Sequence, residues 1–123
     1  QKIDVIADFI PDLKVYGETK GELLVLSWGG TYGACRAAVE KAIKNGISVS
    51  HVNLKHINPF PKNLAEILLK FNKVLIPEIN LGQLSTIVRS KFLIDTINFN
   101  RVSGKPFTTS DIFEKIEQII EGN

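Results

Sequence analysis

Methionine is missing from this sequence altogether, cysteine occurs once and histidine twice. A single cysteine closes no internal disulfide, so nothing marks an oxidising compartment and a reducing cytoplasm is the expected setting. One thiol and two imidazoles, with no acidic cluster beside them, do not spell a metal site, and the thiols for an iron–sulfur cluster are absent. Purely apolar stretches do not exceed five residues, far short of the ~20 that a membrane helix needs. No signal-peptide pattern opens the chain. Neither sign of charge dominates: 15 basic and 13 acidic residues give a net charge of +2, with no run of five like charges. That balance, without interleaved basic and aromatic residues, argues against nucleic acid or a membrane surface as a partner. A chain that starts with Gln1 and has no methionine reads as a piece of a longer one.

What is present is ordinary globular material. The 123 residues are 44% hydrophobic and 23% charged, enough for one domain with a core that stands without staples. Four strand-like runs alternate with four helix-like runs. ELLVLSW, 22–28, is short, continuous and apolar, the pattern of a parallel strand covered on both faces. TYGACRAAVEKAIKN, 31–45, follows with Cys35, Ala38, Val39, Ala42 and Ile43 at helical spacing, Thr31 placed to cap its start and Gly46 to end it. ISVSHVNL, 47–54, is the second strand, and KHINPFP after it is a loop. NLAEILLKF, 63–71, sets Leu64, Ile67, Leu68 and Phe71 on one helical face. KVLIPE, 73–78, is the third strand. GQLSTIVRSKFL, 82–93, carries Leu84, Ile87, Val88 and Phe92 as a stripe, with Arg89 and Lys91 complementing the dipole at its end. TINFNRV, 96–102, alternates as an edge or half-wet strand does. TTSDIFEKIEQIIEG, 108–122, opens on a capping box of Thr108 and Asp111 and buries Ile112, Phe113, Ile116, Ile119 and Ile120.

The order βαβαβαβα predicts an α/β domain with a parallel sheet covered on both faces. Residues 1–13 are expected to be a connection from a preceding domain, and LKVYG, 14–17 with its leading Leu13, an extra edge strand; the domain proper is 14–123. In such a sheet ligands favour the crevice at the C-terminal ends of the strands where the strand order reverses. With the first strand central, that crevice lies between SWGGT, 27–31, and PEIN, 77–80. Two helix amino termini point there, and such termini favour anions. The candidate residues are Ser27, Gly29, Gly30, Thr31, Glu78, Asn80 and Gln83.

Against each stands a plain structural role. WGGTYG is not the Gly-x-Gly-x-x-Gly fingerprint, and the second strand ends in Asn53, Leu54 and Lys55 where a dinucleotide site wants an acid. No Gly-Lys-Ser/Thr triplet exists, which excludes a P-loop. Asn80 fits the N-cap of the following helix. Glu78 fits a carboxylate that bonds nearby backbone or a neighbouring domain. Cys35 falls on an apolar helix face, as a packed cysteine does. His51 sits within a strand, and His56, beside Asn58 and two prolines, reads as a turn residue. No catalytic set emerges.

Four strings, LVLSWGGTYGA, HVNLKHINPFP, VLIPEINLGQL and VSGKPFT, in this order and spacing, make residues 14–121 resemble the C-terminal part of the α subunit of 2-oxoacid:ferredoxin oxidoreductases, most of all the 2-oxoglutarate enzymes. The specific parts are Glu-x-Asn-x-Gly-Gln-Leu and Pro-Phe-Pro; Gly30 departs from relatives that often carry serine there. The resemblance implies a transketolase C-terminal-domain fold: three α/β/α layers around a five-stranded mixed sheet, with one antiparallel edge strand, which LKVYG suits, and four parallel ones. It implies a parent enzyme that turns a 2-oxoacid, coenzyme A and oxidised ferredoxin into acyl-CoA, carbon dioxide and reduced ferredoxin. Thiamine diphosphate with Mg, and iron–sulfur clusters, would sit in other domains or subunits, with no catalytic residue and no metal in this one. Its expected partners are the other domains of the α subunit, the β subunit and, through the whole enzyme, ferredoxin. A homodimer contact is a further possibility, and the alternative function is a regulatory crevice for a small anion such as a nucleotide or coenzyme A.

Overall fold

A computed structural model describes residues 12–55, 60–79, 83–101 and 105–122. Four strands form one sheet: β1 (Gly21–Trp28), β2 (Val49–Leu54), β3 (Phe71–Glu78) and β4 (Ile97–Asn100), in spatial order β2-β1-β3-β4 with every neighbouring pair parallel. The helices between them are α1 (Tyr32–Lys44), α2 (Leu64–Leu68), α3 (Gln83–Phe92) and α4 (Thr109–Glu121).

The alternation of side chains along β1 builds both layers. Leu23 and Val25 pack with Cys35, Ala38, Val39 and Ala42 of α1 and Ile112, Ile116 and Ile119 of α4. Leu24 and Leu26 pack on the opposite face with Leu64, Ile67 and Leu68 of α2 and Leu84 and Val88 of α3. All four β1 side chains are fully buried, as a continuous apolar strand inside three layers requires. The α/β/α arrangement therefore follows from the sequence pattern.

The sheet itself differs from the five-stranded mixed one expected. Among the described residues it has four strands, all parallel. Where the antiparallel edge strand was expected there is one isolated bridge, Tyr16 with His51 on the free edge of β2, closed by Tyr16 N–H to His51 O at 2.9 Å and His51 N–H to Tyr16 O at 3.0 Å. The next residue, Gly17, has φ of +101°, a turn that stops the pairing after one residue. The expected connection at 1–13 falls mostly outside the described residues.

Two other boundaries moved. Phe71 fits the helical stripe of α2, yet that helix stops at Leu68 and Phe71 opens β3, reaching the same core from the strand. Thr31 makes no capping bond to α1: a 3-10 turn at Gly29–Thr31 holds it at φ −83° and ψ −3°, and its hydroxyl donates back to Trp28 O at 3.4 Å. A capping side chain needs extended backbone at that position. Gly46, at φ +79°, ends α1 as expected, and the Thr108–Asp111 capping box forms, reinforced by Arg101 Nη2 on Asp111 Oδ2 at 2.8 Å.

Candidate functional site

The sheet order reverses between β1 and β3, and their C-terminal ends open on a cavity of about 400 Å³. Gly29, Gly30, Thr31, Glu78 and Gln83 line it together. Trp28 and Ile87, 49% and 42% exposed, stand at its mouth. Asn80 lies outside the described residues. Ser27 is not in this cavity: it is wholly buried and points at β2.

Glu78 explains the opening of α3. Val74 and Ile76 face the α2/α3 layer, so two residues further on Glu78 faces it too, at the point where the strand runs out. Its Oε1 accepts from Leu84 N–H at 2.8 Å and its Oε2 from Ser85 N–H at 3.0 Å. The carboxylate thus satisfies two N–H groups in the first turn and sits at the positive end of the helix dipole. An incoming anion finds those two N–H groups already taken. Pro77, just before it, lies past the last β1–β3 pair, Val25 with Leu75, so its missing N–H costs no bond to β1.

The register of β1 on β2 assembles a second group of polar side chains. Val25 pairs with His51 and Ser27 with Asn53, so Ser27, His51 and Asn53 share the face covered by α1. Arg36 of α1 donates from Nε to His51 Nδ1 at 3.1 Å. The ring proton of His51 is therefore on Nε2, which meets Ser27 Oγ at 2.7 Å, and Ser27 in turn donates to Asn53 Oδ1 at 2.9 Å. Burial first, and the Arg36 guanidinium second, push His51 down to about 4, so the imidazole is neutral at physiological pH. The guanidinium carbon of Arg36 lies 4.2 Å from the Tyr16 ring centre and 5.2 Å from that of Tyr32. Sequence reasoning missed this chain. The available signal was the polar pair His51 and Asn53 at period two inside a strand that is otherwise buried.

Cys35 is fully buried on α1, and burial, opposed by a hydrogen bond with Thr31, raises its thiol to about 12. A thiol held in that form is a packing group and a poor nucleophile.

The model of the pyruvate:ferredoxin oxidoreductase core domain II matches residues 21–112, which takes in all four strands and α1 to α3. The chain belongs to that family. It is 40% identical over 122 residues to the 2-oxoglutarate oxidoreductase subunit KorA of Mycobacterium tuberculosis, covering 98% of this chain and 18% of that protein. It superposes with a TM-score of 0.89 and 28% identity on the 2-oxoglutarate:ferredoxin oxidoreductase of Magnetococcus marinus, a structure with 2-oxoglutarate, coenzyme A and succinyl-CoA bound, over 95% of this chain and 21% of that one. A split-gene transketolase shares the fold, with a TM-score of 0.69 at 16% identity over 92% of this chain and 43% of that one. The chain thus spans about a fifth of the 2-oxoglutarate oxidoreductases it matches.

Among the described residues, the thiol and the crevice carboxylate are both engaged within the fold. The one thiol, Cys35, is buried on α1, where burial disfavours the thiolate that a cluster ligand needs. No three His, Cys, Asp or Glu side chains converge as a metal site among the described residues. The crevice carboxylate, Glu78, accepts from two helix N–H groups. No helix among the described residues is long and apolar enough to cross a membrane.

Proposed function

We propose that this domain II is the assembly domain of a 2-oxoglutarate:ferredoxin oxidoreductase α subunit and performs no chemistry itself. The observation that carries this reading is the 40% identity over 122 residues to a 2-oxoglutarate oxidoreductase subunit. In the parent enzyme a 2-oxoacid, coenzyme A and oxidised ferredoxin yield acyl-CoA, carbon dioxide and reduced ferredoxin, with thiamine diphosphate, Mg and iron–sulfur clusters held by other domains or the β subunit. The setting is cytoplasmic.

The domain's own contribution is shape. Its two helical layers fix the positions of Trp28 and Ile87, exposed apolar side chains at the mouth of the crevice, where an adjoining domain gains by covering them. The Glu78 clamp sets the direction in which α3 leaves β3 and therefore the shape of that mouth.

The test is a reconstitution. The full-length subunit with its partner subunit is supplied with 2-oxoglutarate, pyruvate or 2-oxobutyrate in turn, with coenzyme A and a viologen dye. Coenzyme A-dependent dye reduction strongest with 2-oxoglutarate is expected. Reduction with no 2-oxoacid, or by the isolated 123-residue chain, contradicts the reading.

A further inference from the structure

A second cavity, of about 730 Å³, opens beside the free edge of β2, outside the β1–β3 crevice. Lys14, Arg36 and Lys55 line it together with Tyr32, Asn53 and one acid, Asp12. Among the described residues, three cations against one carboxylate leave it positive. Leu13 and Pro61 complete an apolar wall, and the exposed ring of Tyr32 gives a flat surface beside the guanidinium. The volume falls within the range of small-molecule sites.

Arg36 is held in place from behind. Its Nε is fixed by His51, which is fixed by Ser27, which is fixed by Asn53, and Tyr16 and Tyr32 flank its plane. The neutral imidazole accepts from the guanidinium without bringing an opposing charge to it. The four N–H groups on Nη1 and Nη2 have no hydrogen-bond partner among the described residues. A sheet-to-helix contact with no ligand to serve is more cheaply made of aliphatic side chains, as it is along the rest of α1. A guanidinium fork held in this way is suited to a planar carboxylate or a phosphate, which it binds through two parallel bonds.

We propose that the Arg36 cavity is a binding site for a small molecule that carries a carboxylate or phosphate on Arg36 and an apolar or aromatic body against Tyr32, Leu13 and Pro61. The site is distinct from the β1–β3 crevice and does not depend on the assembly role above. It places the anion on a side chain fixed by a hydrogen-bonded network, whereas two N–H groups in the first turn of α3 are taken by Glu78.

Phenylglyoxal modification of the full-length protein, read peptide by peptide by mass spectrometry, tests the proposal with phenyl phosphate as the probe and phenol as its uncharged counterpart. Arg89, on the exposed side of α3, is the internal reference. Saturating phenyl phosphate is expected to slow modification of Arg36 about tenfold, with Arg89 unchanged and phenol without effect. Equal rates at Arg36 with and without phenyl phosphate overturn the proposal. So does an Arg36 that resists the reagent without any probe, because another part of the protein then covers the cavity. Protection by phenol as strong as that by phenyl phosphate overturns the anion's role.

Discussion

Oε1 of Glu78 accepts a hydrogen bond of 2.8 Å from the backbone N–H of Leu84, six residues ahead of it. The strand's last side chain thereby caps the helix that follows, and Ser85 N–H completes the clamp. Glu78→Gln removes the charge and turns an amide N–H₂ toward one of the two N–H groups. The substitution should cost about 1–2 kcal/mol, the range seen for lost helix caps, read as a lower urea midpoint with unchanged slope.

His51 makes stability depend on pH. The unfolded chain takes up this proton near pH 6.5, and the folded one only near pH 4. Between those values the unfolded state binds more protons, so stability falls as pH drops through the window and is fully present above it. The loss across the window is about 3 kcal/mol in order of magnitude. Urea titrations at pH 7 and pH 5 should show most of it, and His51→Gln should flatten the dependence.

Cys35 should be silent to thiol reagents in the folded protein. Burial holds the thiol at about 12, so little thiolate forms at pH 8 and no reagent reaches it. Ellman's reagent should react with it at the rate of unfolding, and at full speed in urea. Rapid reaction in native buffer contradicts the packing described.

Gly17 and Gly30 should respond differently to alanine. At Gly17, φ is +101° and an added Cβ meets Ser50 Oγ at 3.0 Å and Val49 O at 3.3 Å. Gly17→Ala should cost about 1–3 kcal/mol. At Gly30 nothing lies within 4 Å of the added Cβ. Gly30→Ala and Gly30→Ser should stay within about 0.5 kcal/mol of the parent. Thermal denaturation of the variants side by side checks both.

The sheet's centre and its two layers were legible because β1 is apolar at every position and each helix repeats its apolar residues at helical spacing. The crevice followed from the strand order alone, and five of its proposed residues line one cavity. Asn80 lies outside the described residues. What sequence could not carry was register. Ser27 looked like part of the Gly-rich turn until its pairing with Asn53 turned it toward His51. Nothing in the local pattern marked Arg36, because its hydrogen-bond partner, His51, lies 15 residues further along the chain. Thr31 and Phe71 matched their local patterns, but a 3-10 turn and an early helix end decided their roles. The expected fifth strand stopped at one bridge, where Gly17 turns the backbone.

The central claim is that domain II shapes the enzyme and does no chemistry, and Glu78 is the one carboxylate the crevice offers among the described residues. The most direct measurement is 2-oxoglutarate- and coenzyme A-dependent viologen reduction by the reconstituted full-length protein, parent against Glu78→Gln, at a temperature where both are folded. The account predicts an active parent and a variant within about threefold of it, a loss under about 1 kcal/mol in activation free energy. A folded variant that loses about a hundredfold or more would make Glu78 a participant in the reaction and contradict the account.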